Sequence, residues 1–296
     1  MSAPDIFALR ATTLMIFDCF TFFNELDLLE IRLFELYAIV DHFVLVEANK
    51  TFQGDPKPYY FKENESKFAR FASKIIYVPI EIPDGDLRSQ ISTYAENPTW
   101  AREYYQRDQI ARGLSEASPD DLIIVSDVDE IISAKKLRDA IATRRKHDLT
   151  IFQMPIYTGS LNRRVKNGIW DKGPRMIEYS DFPGAEHLRL TKIAASRRLG
   201  RNAFSRLYTR FRNYMSRGVP NRIHVIENSG WHMTSIGDWK TYRNKISAYS
   251  HAERADREDF KSIEAFERRL SETTVVVNPS ELPQFVRENP ERFELA

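Results

Sequence analysis

From residue 120 to residue 131 the chain reads DDLIIVSDVDEI. Its apolar run, at residues 122–125, is rich in β-branched side chains and follows a turn-forming Ser-Pro pair, which predicts a buried strand. Because side chains alternate along an extended backbone, we expect Asp127 and Asp129 to lie on the same side. Two carboxylates beyond the carboxyl end of a strand favour a Mg²⁺ or Mn²⁺ site, where the metal bridges a sugar-nucleotide diphosphate. The alternative is an Asp-rich turn that caps the next helix.

Strands and helices alternate through the first half of the chain. Segments rich in β-branched and aromatic residues predict further strands at residues 14–20, 43–46, 74–80 and 150–154. Apolar residues at helical spacing follow Asn24 and Asn97, which are typical helix starts. This order predicts an α/β fold with a mostly parallel central sheet and helices on both faces. After Pro155 the pattern weakens, and we expect residues 157–186 to form a substrate-binding loop.

The length of 296 residues fits one α/β catalytic domain with a C-terminal appendage. We expect the catalytic domain at residues 1–255, with a donor- and metal-binding half at 14–132 and an acceptor half at 150–251. Residues 256–296 would then form a helical extension, because they begin with a highly charged helical pattern.

Positive and negative charges nearly cancel, at a net charge of +1, which argues against a nucleic-acid-binding protein. Their distribution is uneven, because residues 189–222 contain ten Lys or Arg and no Asp or Glu. Such a basic strip usually forms a solvated face, but it could also contact a diphosphate, anionic lipid head groups or an acidic acceptor.

Cys19 is the only cysteine, so no intramolecular disulfide can form and a reducing compartment is expected. Its aromatic neighbours predict a small buried side chain. Residues 1–13 contain no long apolar region typical of a secretory signal, and the apolar window at 14–23 is too short to cross a membrane. We therefore expect a cytoplasmic protein that could contact the inner face of a membrane peripherally.

Several other enzyme classes fit the sequence less well. No Walker loop or Gly-x-Gly-x-x-Gly fingerprint follows a predicted strand, which argues against an ATPase or a nicotinamide enzyme. A phosphatase of the haloacid dehalogenase type would carry its Asp pair on the first strand, whereas this pair follows the fourth. A sugar-nucleotide nucleotidyltransferase would carry a Gly-rich loop with Arg and Lys after the first strand, whereas residues 21–25 of this chain read TFFNE. A non-catalytic glycan-binding module with Ca²⁺ at Asp127 and Asp129 is a further alternative.

Separated segments in the order FDCF (17–20), FNELDLLEIR (23–32), VDHFVLVE (40–47), TFQGDPK (51–57), SDVDEI (126–131) and GWH (230–232) resemble glycosyltransferase family 17. The resemblance implies a nucleotide-diphosphosugar transferase fold of the GT-A type. It further implies an N-acetylglucosaminyltransferase that uses UDP-N-acetylglucosamine and a Mn²⁺-type metal and inverts the anomeric carbon. Animal members carry a membrane anchor and paired cysteines, for which this sequence shows no counterpart. We therefore expect an oligosaccharide or a lipid-linked glycan as the acceptor.

Candidate metal and catalytic residues follow from the same segments. Asp127 and Asp129 would hold the metal, which would neutralise the charge that develops on the leaving UDP. His232, after a late strand, would complete the metal site or would be a core histidine. An inverting transfer needs a general base for the acceptor hydroxyl. Three acidic residues downstream of the metal motif are candidates, with Glu186 and Asp171 preferred: Asp171, Asp181 and Glu186.

Seven polar residues at strand ends, at helix starts and on the predicted helix that follows Asn97 are candidates for donor binding: Asp18, Asn24, Glu25, Glu47, Asn49, Arg107 and Asp108. Glu47 and Asn49 follow the second predicted strand and would accept hydrogen bonds from uracil or ribose. Asn24 and Glu25 could instead cap the first helix. Arg107 could instead pair with a neighbouring carboxylate.

Overall fold

The computed structural model describes residues 14–191, 222–249, 256–293 and 295. Its strands are β1 (Ile16–Phe22), β2 (His42–Ala48), β3 (Ile75–Ile80), β4 (Leu122–Asp127), β5 (Glu130–Ile132), β6 (Asp148–Phe152), β7 (Met154–Gly159), β8 (Arg163–Trp170), β9 (Arg175–Glu178), β10 (Arg222–Ile226), β11 (Gly230–Ile236) and β12 (Thr274–Val276). The central sheet has the order β10-β6-β9-β4-β1-β2-β3. All neighbours in it pair in parallel except β9, which runs antiparallel to β4 and β6.

A second, mixed sheet has the order β12-β8-β7-β11-β5. β5 follows β4 after a short turn, and β11 pairs antiparallel with β5 so that His232 lies opposite Glu130. Gly230 permits the close approach of these strands, because a Cβ at this position would lie 2.0 Å from the carbonyl oxygen of Ile131. The register of β11 therefore brings His232 beside the turn between β4 and β5.

The α-helices are α1 (Leu26–Leu36), α2 (Tyr60–Glu63), α3 (Pro98–Asp108), α4 (Ala134–Thr143), α5 (Ala185–Arg189), α6 (Trp239–Ala248), α7 (Glu258–Lys261), α8 (Ile263–Thr273) and α9 (Gln284–Glu288). Short 3₁₀ segments occur at Glu65–Lys74, Gln109–Gly113, Tyr179–Asp181 and Pro279–Glu281. α3 begins as the sequence predicts. The side chain of Asn97 accepts hydrogen bonds from the backbone N–H groups of Thr99 and Trp100, and Pro98 occupies the first turn.

Alternation along the central strands supplies an apolar core on each face of the sheet. In β1, Phe20 and Phe22 belong to the cluster that contains residues of α1 and α4. Phe17 and Cys19 belong to the cluster that contains residues of α3. This arrangement confirms the predicted α/β class, with a mostly parallel central sheet and helices on both faces. Cys19 is fully buried, and burial raises the pKa of its thiol.

Residues 256–293 pack against the second sheet and against α1. β12 pairs with β8, and Val277 and Phe285 share an apolar cluster with Ile31. The ring of Phe285 stacks on that of Phe34, with centroids 3.9 Å apart. This segment therefore contains a strand as well as helices, and a domain boundary at residue 255 stays a prediction.

Residues 157–186 form strands rather than the predicted substrate loop. They contain the second half of β7 and all of β8 and β9. β8 is half-buried or exposed along its whole length, so it lacks the apolar alternation by which strands are recognised. The predicted basic strip falls largely on residues 192–221, which lie outside the described residues. Among the residues that the structure describes, no helix is long and apolar enough to cross a membrane.

Candidate active site

The predicted metal motif lies where the carboxyl ends of β1, β2 and β4 meet, because parallel strands end at the same edge of a sheet. β4 ends at Asp127, and Val128 and Asp129 form a turn. Strand alternation does not apply across this turn, because it holds only in an extended backbone. Both carboxylates nevertheless line the larger of the two pockets described below, where they contact different partners.

A buried arginine of α1 anchors this turn. The guanidinium of Arg32 binds the two carboxylate oxygens of Asp18 at 2.7 and 2.5 Å, and both side chains are fully buried. It also donates to the carbonyl oxygens of Asp127 and Glu130 at 3.1 and 2.8 Å. Asp18, a predicted donor-binding residue, thus lies in a structural ion pair that fixes the turn and lines neither of the two pockets described below.

Two arginines hold the carboxylate of Asp127. Arg107 Nη2 lies 3.2 Å from Oδ1, and Arg189 Nη2 lies 3.0 Å from Oδ2. Thr21 Oγ1 also donates to Oδ1, at 3.3 Å. Burial alone would raise the pKa of this carboxyl, but Arg189 and Arg107 hold it well below its usual range. Asp127 is therefore ionised at neutral pH.

Asp129 contacts a different cation, Lys245 of α6. The Lys245 ammonium donates to Oδ2 of Asp129 at 2.7 Å and lies 3.5 Å from Oε1 of Glu25. Burial alone would lower the pKa of Lys245, but Asp129 and Glu25 raise it well above its ordinary value. The lysine is therefore charged at neutral pH.

His232 lies on the other side of Asp129, with Nε2 3.8 Å from Oδ1. Its ring stacks on Trp170 at a centroid distance of 4.3 Å. Burial lowers the pKa of His232 below its ordinary value, although nearby Asp129 opposes this shift. Within the described part of the chain, its buried Nδ1 has no hydrogen-bond partner. A neutral imidazole of this kind is a suitable metal ligand.

Glu130, which follows the turn, is fully buried and fixes the position of Arg189. Its carboxylate oxygens each accept a hydrogen bond from Arg189 at 2.8 Å. Oε1 also accepts from Trp170 Nε1 at 2.6 Å, and Oε2 accepts from the backbone N–H of Asp127 at 3.1 Å. Glu130 therefore couples the metal motif to the end of β8, which carries Trp170.

Arg107 of α3 connects Asp127 with the candidate base Glu186 on α5. Its guanidinium pairs with Glu186 and, at 2.8 Å, with Glu103. Burial raises the pKa of Glu186, and Arg107 opposes the shift. Asp108 accepts the backbone N–H groups of Ser92 and Glu186 at 2.8 and 3.4 Å. Arg107 thus pairs with carboxylates, as the alternative interpretation expects, while Asp108 supports the backbone.

Two neighbouring pockets meet at this cluster. The larger has a cavity volume of about 520 Å³, and its lining includes Trp100, Tyr104, Asp129, Trp170, Asp171, Glu186, Arg189, His232 and Lys245. The smaller, of about 40 Å³, has a lining that includes Phe22, Phe23, Glu25, Lys50, Phe52, Lys57 and Gln106. Both are lined by Glu103, Arg107, Asp127 and Tyr249. The metal motif therefore stands at the junction of a small aromatic pocket and a large polar one.

Two donor-binding candidates at the end of β2, Glu47 and Asn49, support the backbone. Glu47 is fully buried, and its carboxylate accepts hydrogen bonds from the backbone N–H of Phe61 at 3.2 Å and from Tyr77 at 3.0 Å. Asn49 Oδ1 accepts the backbone N–H of Ile82 at 2.9 Å. Neither residue lines the two pockets, because both side chains hold neighbouring segments in place.

The two donor-binding candidates before α1, Asn24 and Glu25, differ in whether they line a pocket. Asn24 is exposed and lies outside both pockets. Glu25 lines the smaller pocket, and its Oε2 accepts the backbone N–H groups of Phe23 and Asn24 at 3.3 and 3.1 Å. Of the seven donor-binding candidates, Glu25 and Arg107 are thus the two that line a pocket.

The donor set around Asp129 fits a divalent cation. Asp129 Oδ1 and His232 Nε2 are 3.8 Å apart, so one ion could contact both at ordinary metal–ligand distances of about 2.0–2.6 Å. Asp127 is turned towards its arginines and would join as a ligand only after its carboxylate rotates. The residues present therefore suit a metal, with Asp129 and His232 nearest to a ligand geometry.

A second group of possible metal ligands lies near the opposite end of β4, at its first residue. Among the described residues, His147, Glu178 and Asp181 have potential ligand atoms within 4.8 Å of one another. Glu178 pairs with the first residue of β4, far along the strand from Asp127. His147 Nδ1 lies 2.8 Å from Oδ2 of Asp181, which raises the pKa of the histidine. Asp181, the third base candidate, is therefore remote from the cavity.

Of the cations at the site, Arg107 was predicted as a donor-binding residue, whereas Arg189 and Lys245 were not predicted as individual functional residues. Arg189 begins the basic strip, whose usual interpretation is a solvated face, and Lys245 lies on a helix without a distinctive motif. Trp231, next to His232, is a core residue, 9% exposed, and its Nε1 donates to the carbonyl oxygen of Glu281 at 2.8 Å.

Comparison with known proteins identifies the family. The model described as glycosyltransferase family 17 matches residues 6–195. The chain belongs to glycosyltransferase family 17. The matched range contains the Asp127 turn, Arg107, Glu186 and Arg189, and it ends before His232 and Lys245. The expectation of a glycosyltransferase is thereby confirmed.

Curated relatives of this family 17 chain resemble a limited part of it. The human β-1,4-mannosyl-glycoprotein 4-β-N-acetylglucosaminyltransferase is 35% identical over 111 residues, which are 36% of this chain and 20% of the human protein. The rat enzyme of the same name shows the same identity and coverage. The chain thus spans about a fifth of the length of these relatives.

Among solved structures, 4-diphosphocytidyl-2C-methyl-D-erythritol synthase matches with 13% identity and a TM-score of 0.37, over 73% of this chain and 90% of that one. Such a score indicates at most a distant likeness. The predicted cytoplasmic location, with contact at an inner membrane face, is contradicted by the curated relatives, because their names specify a mannosyl-glycoprotein as the molecule acted on.

Proposed function

We propose that this family 17 enzyme transfers N-acetylglucosamine, or a related hexose, from a UDP-sugar to a hydroxyl group of an oligosaccharide or glycoconjugate. The transfer would use Mn²⁺ or Mg²⁺ and would invert the anomeric carbon. One observation carries the proposal: carboxylates and cations that suit a metal–diphosphate complex lie at the junction of a small aromatic pocket and a large polar cavity.

The nucleoside of the donor is assigned to the smaller pocket. Phe23, Phe52 and Tyr249 provide aromatic rings there, and the buried amide of Gln106 lies among them. At about 40 Å³ the pocket must widen to hold a nucleoside. The segment around Phe52 closes the pocket against the end of α6, because Phe52 N–H donates to the Ala248 carbonyl oxygen at 3.1 Å and Gln53 Nε2 donates to that of Tyr249. These contacts would have to open for a nucleoside to enter. The diphosphate would then lie beside Asp127 and Arg107.

Asp129 and His232 would hold the metal, with Asp127 as a further ligand or as a ligand through water. When bound, a divalent cation neutralises charge on the diphosphate and makes UDP a better leaving group. Arg107 and Arg189 keep Asp127 ionised and add positive charge at the same position.

The acceptor is assigned to the larger cavity, whose volume of about 520 Å³ is within the usual range for ligand pockets. Trp100, Tyr104 and Trp170 offer aromatic faces on which a sugar ring could pack. A general base, Asp171 or Glu186, would take the proton of the acceptor hydroxyl. As that oxygen bonds to the anomeric carbon from one side, the bond to the diphosphate oxygen breaks on the other, which gives inversion.

The test is UDP release from a panel of UDP-sugars with Mn²⁺, with and without a chelator. Asp129→Asn should lower donor turnover by about 100-fold or more, because the charge on the leaving diphosphate is no longer neutralised. Asp120→Asn is the matched control, since Asp120 is exposed and pairs with Lys146 at 2.9 Å on the surface.

Three outcomes would contradict the proposal. UDP that does not bind the native chain, with or without Mn²⁺, would favour a non-catalytic glycan-binding module. Formation of a UDP-sugar from UTP and a sugar 1-phosphate would favour a nucleotidyltransferase. A donor that is turned over at equal rates by the native chain and by Asp129→Asn would remove the metal motif from the mechanism.

A further inference from the structure

Lys245 lines the larger pocket and contacts both Asp129 of the metal motif and Glu25 of the smaller pocket. Its ammonium lies 2.7 Å from Oδ2 of Asp129 and 3.5 Å from Oε1 of Glu25. It also lies 5.1 Å from the ring centroid of Tyr249, one of the residues that line both pockets. The Lys245 side chain is 11% exposed, so its charge is held in a largely desolvated environment.

This contact conflicts with a metal on Asp129. A protonated lysine has three donors and no lone pair, so it cannot join the metal's ligands. An ammonium at 2.7 Å from one carboxylate oxygen would also repel a divalent cation bound to the other. A metal at Asp129 therefore requires Lys245 to move away or to find a negative partner.

The donor supplies such a partner. Asp127 lines both pockets, so the diphosphate of a donor that reaches from one pocket to the other would lie beside it. The side chain of Lys245 is a flexible chain of four methylene groups, so its ammonium can turn from a carboxylate to a phosphate without movement of α6. The diphosphate would replace the contacts that the ammonium makes with Asp129 and Glu25.

We propose that Lys245 is a positioning residue that makes metal binding depend on the donor: it holds Asp129 until a nucleoside diphosphate arrives, then pairs with that diphosphate and releases Asp129 to the metal. The proposal rests on the proposed function, because it assigns the diphosphate to the junction of the two pockets. It adds that the metal and the nucleotide bind cooperatively, and that one protein side chain provides the coupling.

The test measures binding rather than turnover. Titration calorimetry would give the affinity of Mn²⁺ alone, and of UDP with and without Mn²⁺, for the native chain and for Lys245→Met. Lys240→Met is the matched control, because Lys240 is exposed on the same helix. Native chain and control should bind Mn²⁺ weakly alone and about tenfold more tightly with UDP, a coupling of ordinary size.

Lys245→Met should bind Mn²⁺ alone about tenfold more tightly than the native chain, because Asp129 loses its competing cation. It should bind UDP with Mn²⁺ more weakly, and the coupling should shrink towards unity. Lys245→Arg should retain much of the coupling, which separates a charge effect from a packing effect. Equal Mn²⁺ affinities for Lys245→Met and Lys240→Met would overturn the inference, even where UDP and Mn²⁺ still bind. No binding of UDP or Mn²⁺ by the native chain would instead remove the proposed function itself.

Discussion

Asp171 and Glu186 both line the large cavity, but their carboxylates have different surroundings. Glu186 is 1% exposed and pairs with Arg107, so its charge is already compensated. Asp171 is exposed, and among the described residues its carboxylate forms no hydrogen bond or ion pair. A base must be open to the acceptor and able to take a proton, which favours Asp171, whereas Glu186 would position Arg107.

Asp171→Asn should therefore lower kcat by about 10²–10⁴-fold, the usual contribution of a general base, and change donor KM little. Glu186→Gln should lower kcat less and should lower the thermal unfolding temperature, because Arg107 loses one of its buried partners. Steady-state kinetics and thermal unfolding of both variants check this. The reverse order of the kcat effects would assign the base to Glu186.

Residue types at the site were more predictable from the sequence than residue partners. Asp127, Asp129 and His232 stand in short motifs whose chemistry can be recognised locally. Their cations cannot be found in this way, because Arg189 is 62 residues from Asp127 and Lys245 is 116 residues from Asp129. Only the packing of α5 and α6 against the sheet edge brings them together.

At the scale of elements, α1 connects the first strand with the metal motif. Arg32, on the buried side of α1, binds Asp18 of β1 and the carbonyl oxygens of the turn after β4. The sequence predicts the helix from its apolar spacing, yet that spacing does not indicate which charged residue faces inward. The buried Asp18–Arg32 pair thus holds β1, α1 and the turn after β4 in a fixed arrangement. Such support is needed because the turn itself has only two residues.

Asp18→Asn should lower the free energy of unfolding by about 3–5 kcal/mol, because it leaves the buried Arg32 charge uncompensated. Asp27→Asn, a substitution on α1, the helix that carries Arg32, is the control. Asp27 is 71% exposed where it pairs with Arg292, and loss of such a surface pair changes stability by about 0–1 kcal/mol. Urea unfolding measures the free energy of unfolding of both variants. Equal losses would show that the buried pair of Asp18 and Arg32 contributes no more to stability than the surface pair of Asp27 and Arg292.

The second sheet was the part of the fold that could least be predicted from the sequence. β8 lies in the segment predicted as a loop, because Gly, Asn and charged residues dominate there and alternation is weak. Pairing with a distant partner, β12, stabilises this strand and cannot be recognised in a local pattern. β9, in the same segment, was missed as well, although it belongs to the central sheet. The other central strands β1, β2, β4 and β6 were predicted because almost all of their residues are buried.

At the scale of the whole molecule, residues 256–293 close the apolar cluster between α1 and the second sheet. Phe285 stacks on Phe34 of α1, and Val286 is fully buried in the same cluster. This packing argues that the catalytic part and the C-terminal segment unfold together. The prediction of a separate extension after residue 255 can therefore be tested by one core substitution.

Phe285→Ala should lower the free energy of unfolding by about 3–5 kcal/mol, as for other large-to-small changes of buried aromatic residues. Phe285→Leu keeps most of the apolar volume and should have a smaller effect. If the segment is part of one cooperative unit, tertiary signals and UDP binding should be lost in a single transition at a lower urea concentration in Phe285→Ala. An early transition of the C-terminal segment alone, with UDP binding retained to the native midpoint, would instead establish residues 256–296 as an independent extension. The predicted single transition follows from the position of Phe285, because its cavity would open directly onto α1, the helix that carries Arg32 and so fixes the turn of Asp127 and Asp129.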